Sequence, residues 1–160
     1  MYNLHQKLAI IRIRGKTGIR KEIKTTLNLL RLYNKHHLVL VDKTPVNIGK
    51  LKRIKDYVTW GEITQDTLKE LLKQRARLPG NKPLTEQYLK EKSSLSIDEL
   101  SQKLTHSQIH LRQIPGLKPF FRLKPPRGGF EKQGIKLPYS MHGSLGYRGE
   151  NINILIKKML

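Results

Sequence analysis

The sequence predicts an α+β fold, a small sheet backed by helices, and three observations carry that expectation. Period two divides Lys7–Arg14 into a wholly apolar face and a face that turns from apolar to cationic. Further on, short runs rich in β-branched residues are separated by stretches whose apolar residues recur every three or four positions. Those two periods alternate through the first 62 residues, and helical periods follow.

Lys7–Arg14 reads as a strand, with Ala9, Ile11 and Ile13 on one face and Leu8, Ile10, Arg12 and Arg14 on the other. The second face turns from apolar to cationic along its length. Gly15-Lys16-Thr17-Gly18 makes a tight turn. A helix then carries Ile19, Ile23, Leu27 and Leu30 on one stripe. Leu38-Val39-Leu40-Val41 is a continuous apolar run, the pattern of a buried strand. Thr44-Pro45 opens a second helix, with Thr at the N-cap and Pro at the first helical position, and Val46, Ile48 and Leu51 on its apolar side. Tyr57-Val58-Thr59-Trp60 has strong strand preference and ends at Gly61. The order β-α-β-α-β over residues 1–62, with both helices on one face, is that of a ferredoxin-like split β-α-β core.

Residues 63–115 read as a helical insertion. Thr64 caps a helix with Leu68, Leu71 and Leu72 on one side, and Leu78–Pro83 is a breaker run and the expected internal boundary. Thr85 caps a short helix through Lys92. Ser96-Ile97-Asp98-Glu99 fits a capping box ahead of Leu100 and Leu104, and Ser107 starts another helical turn. Residues 116–160 read as a basic, Gly- and Pro-rich extension with little core of its own. Phe120–Leu123 is a possible strand, Pro125-Pro126-Arg127-Gly128-Gly129 is irregular, and Ile152, Leu155, Ile156 and Met159 line a closing helix.

Charge narrows the function. The chain has 32 Lys and Arg against 12 Asp and Glu, a formal +20. Residues 1–62 carry net +10, residues 63–115 net +3, and residues 116–160 net +7 with only two acids. A protein so charged repels itself unless a polyanion neutralises it. No stretch approaches the roughly 18 apolar residues that span a bilayer, and the first residues show no secretory pattern. The absence of cysteine excludes disulfides and thiolate zinc sites and fits a reducing cytoplasm.

Three cationic clusters are the candidate binding residues. They are Arg12, Arg14, Lys16, Arg20 and Lys21 around the first turn; Lys50, Lys52 and Arg53, with Lys55 beyond them, on the second helix; and Lys118, Arg122, Lys124, Arg127 and Lys132 about the Pro-Gly segment. Guanidinium forks grip phosphate oxygens in pairs, and Gly128 and Gly129 let backbone approach a phosphate closely. The plainer alternative, a solvated face, would have acids interleaved with the bases.

Other chemistry is weaker. Gly15-Lys16-Thr17 lacks the glycine five positions earlier that a nucleotide phosphate loop needs, since that residue is Ile10. The Gly-x-x-Gly-x-Arg turn resembles the phosphate cradle of acylphosphatases, with Arg20 on phosphate and Asn47 orienting water. The preferred reading keeps Arg20 on a solvated helix face. His36-His37 is a poor chelate. His106 and His110 would share a helix face, but no Glu follows His106 as a zinc protease requires. No cofactor, metal or reaction centre is expected. Trp60 is expected in the core.

Several blocks carry a resemblance. Leu8–Gly15 with Thr26–Leu32, Tyr57-Val58-Thr59-Trp60-Gly61, Phe121-Arg122-Leu123-Lys124-Pro125-Pro126-Arg127-Gly128-Gly129 and Gly143–Gly149 resemble, in that order, large-subunit ribosomal protein thirty in its archaeal form. The resemblance implies a non-enzymatic constituent of the large ribosomal subunit in the cytoplasm, bound to large-subunit ribosomal RNA and neighbouring ribosomal proteins, with no membrane and no small-molecule substrate. On this reading RNA orders residues 116–160, which lack apolar surface to fold in water. The alternatives are a non-ribosomal RNA-binding regulator and the phosphate-cradle hydrolase.

Overall fold

A computed structural model describes residues 6–160; the expectation about the first residues falls mostly outside them. The strands are β1 (Lys7–Arg12), β2 (His37–Asp42), β3 (Val58–Glu62), β4 (Phe121–Arg122) and β5 (Gly146–Tyr147). The helices are α1 (Lys21–Leu29), α2 (Pro45–Arg53), α3 (Gln65–Arg75), α4 (Glu86–Ser93), α5 (Ile97–Thr105) and α6 (Ile152–Met159). None of them is long and apolar enough to cross a membrane.

The five strands form one sheet in the order β4-β2-β1-β3-β5. β1 is antiparallel to both β2 and β3. β2 and β3 are therefore parallel to each other, joined by α2 with β1 between them, and that is the split β-α-β unit. Both faces of β1 are covered, and all six of its residues are buried. Leu8 and Ile10 meet Leu27 and Leu30 beside α1 and α2, together with Leu51 and Ile54. Ala9 and Ile11 meet α3, α5 and α6 through Leu68, Leu100, Ile152 and Ile156. The sheet is thus sandwiched between two helical layers.

Local chemistry explains the starts of several helices. Thr44 accepts the Asn47 amide at 3.3 Å, with Pro45 at the first helical position. Ser96 and Glu99 make both bonds of the capping box. In contrast, Thr64 precedes α3 without a side-chain cap; its amide bonds the Asn153 side chain instead. α5 ends at Thr105, so His106 and His110 do not share a helix face. His110 leads a short 3-10 turn, Leu111–Gln113, in place of the helix expected from Ser107.

Two expectations about the last two segments need correction. The breaker run at Leu78–Pro83 does not separate cores, because Leu78 and Leu84 belong to the same buried cluster. Nor does the last segment lack a core. β4 and β5 form the two edges of the sheet, and Ile152, Leu155, Ile156 and Met159 are buried. Arg148 is buried too, donating to Thr59 Oγ1, the Ser144 carbonyl and Glu131. Gly61, expected to end β3, lies inside it, and a Cβ there would collide with the Gly149 carbonyl. Thr59 lies 89 residues from Arg148, and Gly149 is likewise distant from Gly61, so local patterning did not show these contacts.

Candidate nucleic-acid interface

The first and third cationic clusters meet at one end of the sheet. β1 finishes there at Arg12, β2 begins there at His37, and in β4 Arg122 sits opposite His37. The main chain binds these segments together. The His36 amide donates to the Arg12 carbonyl at 2.7 Å, and the Leu123 amide donates to the His36 carbonyl at 3.0 Å. Lys16 lies in the loop leaving β1, and a Cβ on neighbouring Gly15 would stand 3.3 Å from the Lys35 side chain.

Arg12 is the exception and corrects the expected phosphate set. Only 2% of it is exposed. Its guanidinium donates to the carbonyls of Arg14 (2.9 Å), Gly15 (2.7 Å), Leu32 (2.7 Å) and Tyr33 (3.1 Å). It stitches the β1–α1 loop to the α1–β2 loop and has no face for a ligand. Burial pushes its pKa below the usual arginine value, and the carbonyls compensate the buried charge with hydrogen bonds. The period-two pattern placed Arg12 on the face that turns cationic; the α1–β2 turn covers that face at Arg12.

The remaining cations of the cluster are accessible. Arg14 is half-buried, its Cζ 5.3 Å from the Tyr57 ring centroid, and Lys16, Arg20 and Lys21 are exposed. Arg122 is exposed with its Cζ 5.8 Å from the Phe120 ring centroid. Beyond it the Lys124 amide donates to the Met159 carbonyl and the Arg127 amide to the Lys158 carbonyl. The Pro-Gly segment thereby caps the C-terminal carbonyls of α6 with its main chain. Lys124, Arg127 and Lys158 stay exposed, extending the basic strip.

The acids nearest this strip, Glu22 beside Lys21 and Asp56, whose main-chain carbonyl accepts from Arg14 at 3.3 Å, form no ion pair with its cations. Among the described residues, no ion pair within 4 Å includes Arg14, Lys16, Arg20, Lys21, Arg122, Lys124, Arg127 or Lys132. Of the two acids after residue 115, Glu131 faces inward to Arg148 and Ser144. Burial raises the Glu131 carboxyl, but its hydrogen bonds from Arg148 and Ser144 outweigh that and hold it below the ordinary value.

His37 records the same field from inside. Burial first, then the charges of Arg122, Arg12 and Lys16, lower its pKa to about 4. It is 4% exposed and stacks on Phe120 at 5.0 Å. Tyr33, 40% exposed, meets both rings edge-on. Neither Tyr33 nor Lys35 was singled out from the sequence. The signal that finds them is the β2–β4 pairing, which brings the residues before His37 beside Phe120 and Arg122.

The other candidates stand apart from this strip. Lys52 and Arg53 are exposed on α2, and Arg53 reaches Glu22 of α1 at 3.8 Å. Lys50 is half-buried along a groove beside β2. Lys118 is half-buried, its amide bonded to the Arg77 carbonyl in the helical layer. Trp60 is half-buried against the α1–α2 side and 6.5 Å from Tyr147. The cradle of Arg20 and Asn47 does not form. Asn47 bonds the Asp42 carbonyl at the far end of β2, whereas Arg20 follows the loop at the end of β1.

Comparison with known proteins is consistent across the chain. Residues 8–58, from β1 into β3, match the family described as Ribosomal protein L30p/L7e. The Large ribosomal subunit protein uL30 of Methanopyrus kandleri is 46% identical over 149 residues, covering 92% of this chain and 100% of its own. That of Nanoarchaeum equitans is 47% identical, covering 95% and 97%. That of Hyperthermus butylicus is 50% identical, covering 95% and 89%. The matches cover 92–95% of this chain, well beyond residues 8–58, and the chain belongs to the L30p/L7e family of large-subunit ribosomal proteins, in the form shared with these archaeal relatives.

Proposed function

We propose that the chain is a structural constituent of the large ribosomal subunit in the cytoplasm, held by large-subunit ribosomal RNA along the basic strip at the end of the sheet. The single observation that carries this reading is the β2–β4 pairing, which sets Arg122 opposite His37 and beside the loop of Lys16. Arg14, Lys16, Arg20, Lys21, Arg122, Lys124 and Arg127 contact phosphates in this reading. Lys50, Lys52, Arg53, Lys118 and Lys132 face RNA or a neighbouring protein elsewhere on the surface. Arg12 acts only through the loops it holds.

The role needs no reaction centre. Specificity comes from the shape of folded RNA and its unpaired loops, because the A-form major groove is too narrow for side chains. A regulator acting outside the ribosome would bind RNA through the same cations, so location separates the two readings. After a moderate-salt wash of purified large subunits, the chain should remain with the particle; its loss from washed particles would contradict the ribosomal role. Turnover of an acyl phosphate by the pure protein, abolished in Arg20→Ala, would instead revive the hydrolase reading.

A further inference from the structure

The outer edge of β2 is covered for only part of its length. β4 meets it at His37 and Leu38, and in that register the residue facing Leu40 is Pro119, which has no N–H to continue the ladder. The Lys43 amide donates to the Gln6 carbonyl. In an antiparallel ladder Lys43, Val41 and Val39 then turn their backbone groups toward β1, and Leu40 and Asp42 turn theirs outward. The Asp42 carbonyl is occupied by the Thr44 amide and the Asn47 side chain. Among the described residues no backbone bond joins Leu40 to Pro119. Leu40 thus presents a main-chain donor and acceptor, side by side, to a groove of about 470 Å3.

The groove has aliphatic walls and a cationic rim. Leu29, 66% exposed, stands on the α1 side, and Leu111 and Pro119 stand opposite. Arg31, Lys50 and Arg112 line the same groove, and among the described residues none of the three is in an ion pair. The one acid there, Asp42, is already held by Lys7 at 2.5 Å and Ser107 at 2.8 Å. An open edge of this kind is a template for another strand.

We propose that an extended polypeptide segment of a neighbouring protein adds to β2 beside Leu40, its apolar side chains between Leu29 and Leu111 and its carboxylates against Arg31, Lys50 and Arg112. This mode takes affinity from main-chain bonds and specificity from alternate side chains. A polypeptide fits better than RNA. The donor–acceptor pair of Leu40 matches a peptide unit, and Leu29, Leu30, Val39, Leu111 and Pro119 give the lining an aliphatic surface suited to the side chains of an extended segment. The proposal rests on the ribosomal reading.

The test compares the free protein with the protein in salt-washed large subunits. Amide hydrogen exchange of the segment 39–42 should slow by about ten-fold or more in the subunit. A photo-crosslinker in place of Leu29, an exposed position, should give an adduct with a polypeptide that survives nuclease treatment. A chain absent from washed subunits overturns the ribosomal reading and this proposal with it. A chain present there, with exchange unchanged or with an adduct only to RNA, overturns this proposal alone.

Discussion

Arg12 and Arg122 lie at the same end of the sheet and do opposite things. Arg12 donates to four main-chain carbonyls and is buried, whereas Arg122 is exposed and unpaired among the described residues. Arg12→Ala should leave buried carbonyls without donors and cost roughly 3 kcal/mol or more, read as a lower denaturation midpoint of the free protein. Arg122→Ala should leave that midpoint within about 0.5 kcal/mol of wild type. It should weaken RNA binding about ten-fold and reduce the slope of log K against log salt by about 0.7–0.9. His37 gives a pH signature. The folded protein keeps the ring neutral down to about pH 4, while the unfolded chain protonates it near its ordinary value of 6.5. The unfolded state therefore binds more protons between those values, and stability, fully present above pH 6.5, should fall as pH is lowered through the window by on the order of 3 kcal/mol. A urea titration series from pH 7 to pH 4.5 checks this, and His37→Gln should flatten the dependence.

The elements show which parts of the structure are local and which are not. β1, α1, β2, α2 and β3 were legible because each carries its own period, and α2 and α5 carry their own start signals, Thr44-Pro45 and the Ser96–Glu99 box. β5 was not legible, since Gly146-Tyr147 has no strand pattern and is held by β3 and by the Thr59 hydroxyl bonding the Gly146 carbonyl. The basic clusters were visible as sequence, and the burial of Arg12 was not, because its partners Leu32 and Tyr33 lie in the next loop. Gly61 shows the same dependence on distant chain. Gly61→Ala forces a Cβ into the Gly149 carbonyl and should destabilise the protein by about 2 kcal/mol. Leu155→Ala, in the helix that covers the sheet, should cost about 2–4 kcal/mol. Thermal unfolding of each variant against wild type measures both; a neutral Leu155→Ala would mean that α6 does not belong to the core.

At the scale of the whole molecule, the charge of +20 is distributed over a single sheet sandwiched between helices. The expectation that RNA supplies the missing wall for the last segment gives way to a protein wall made by β4, β5 and α6. Amides of α6 should accordingly be protected from exchange in the free protein, without RNA. On the proposed reading RNA neutralises the strip that this wall exposes, where Lys16 and Arg122 come from distant parts of the chain. The strip as an RNA interface is tested most directly by crosslinking within the intact large subunit, mapped to residue and nucleotide. Lys16, Arg122 and Arg127 should crosslink to one compact region of large-subunit ribosomal RNA. Crosslinks from these residues to widely separated regions, or RNA crosslinks confined to α2, would contradict it.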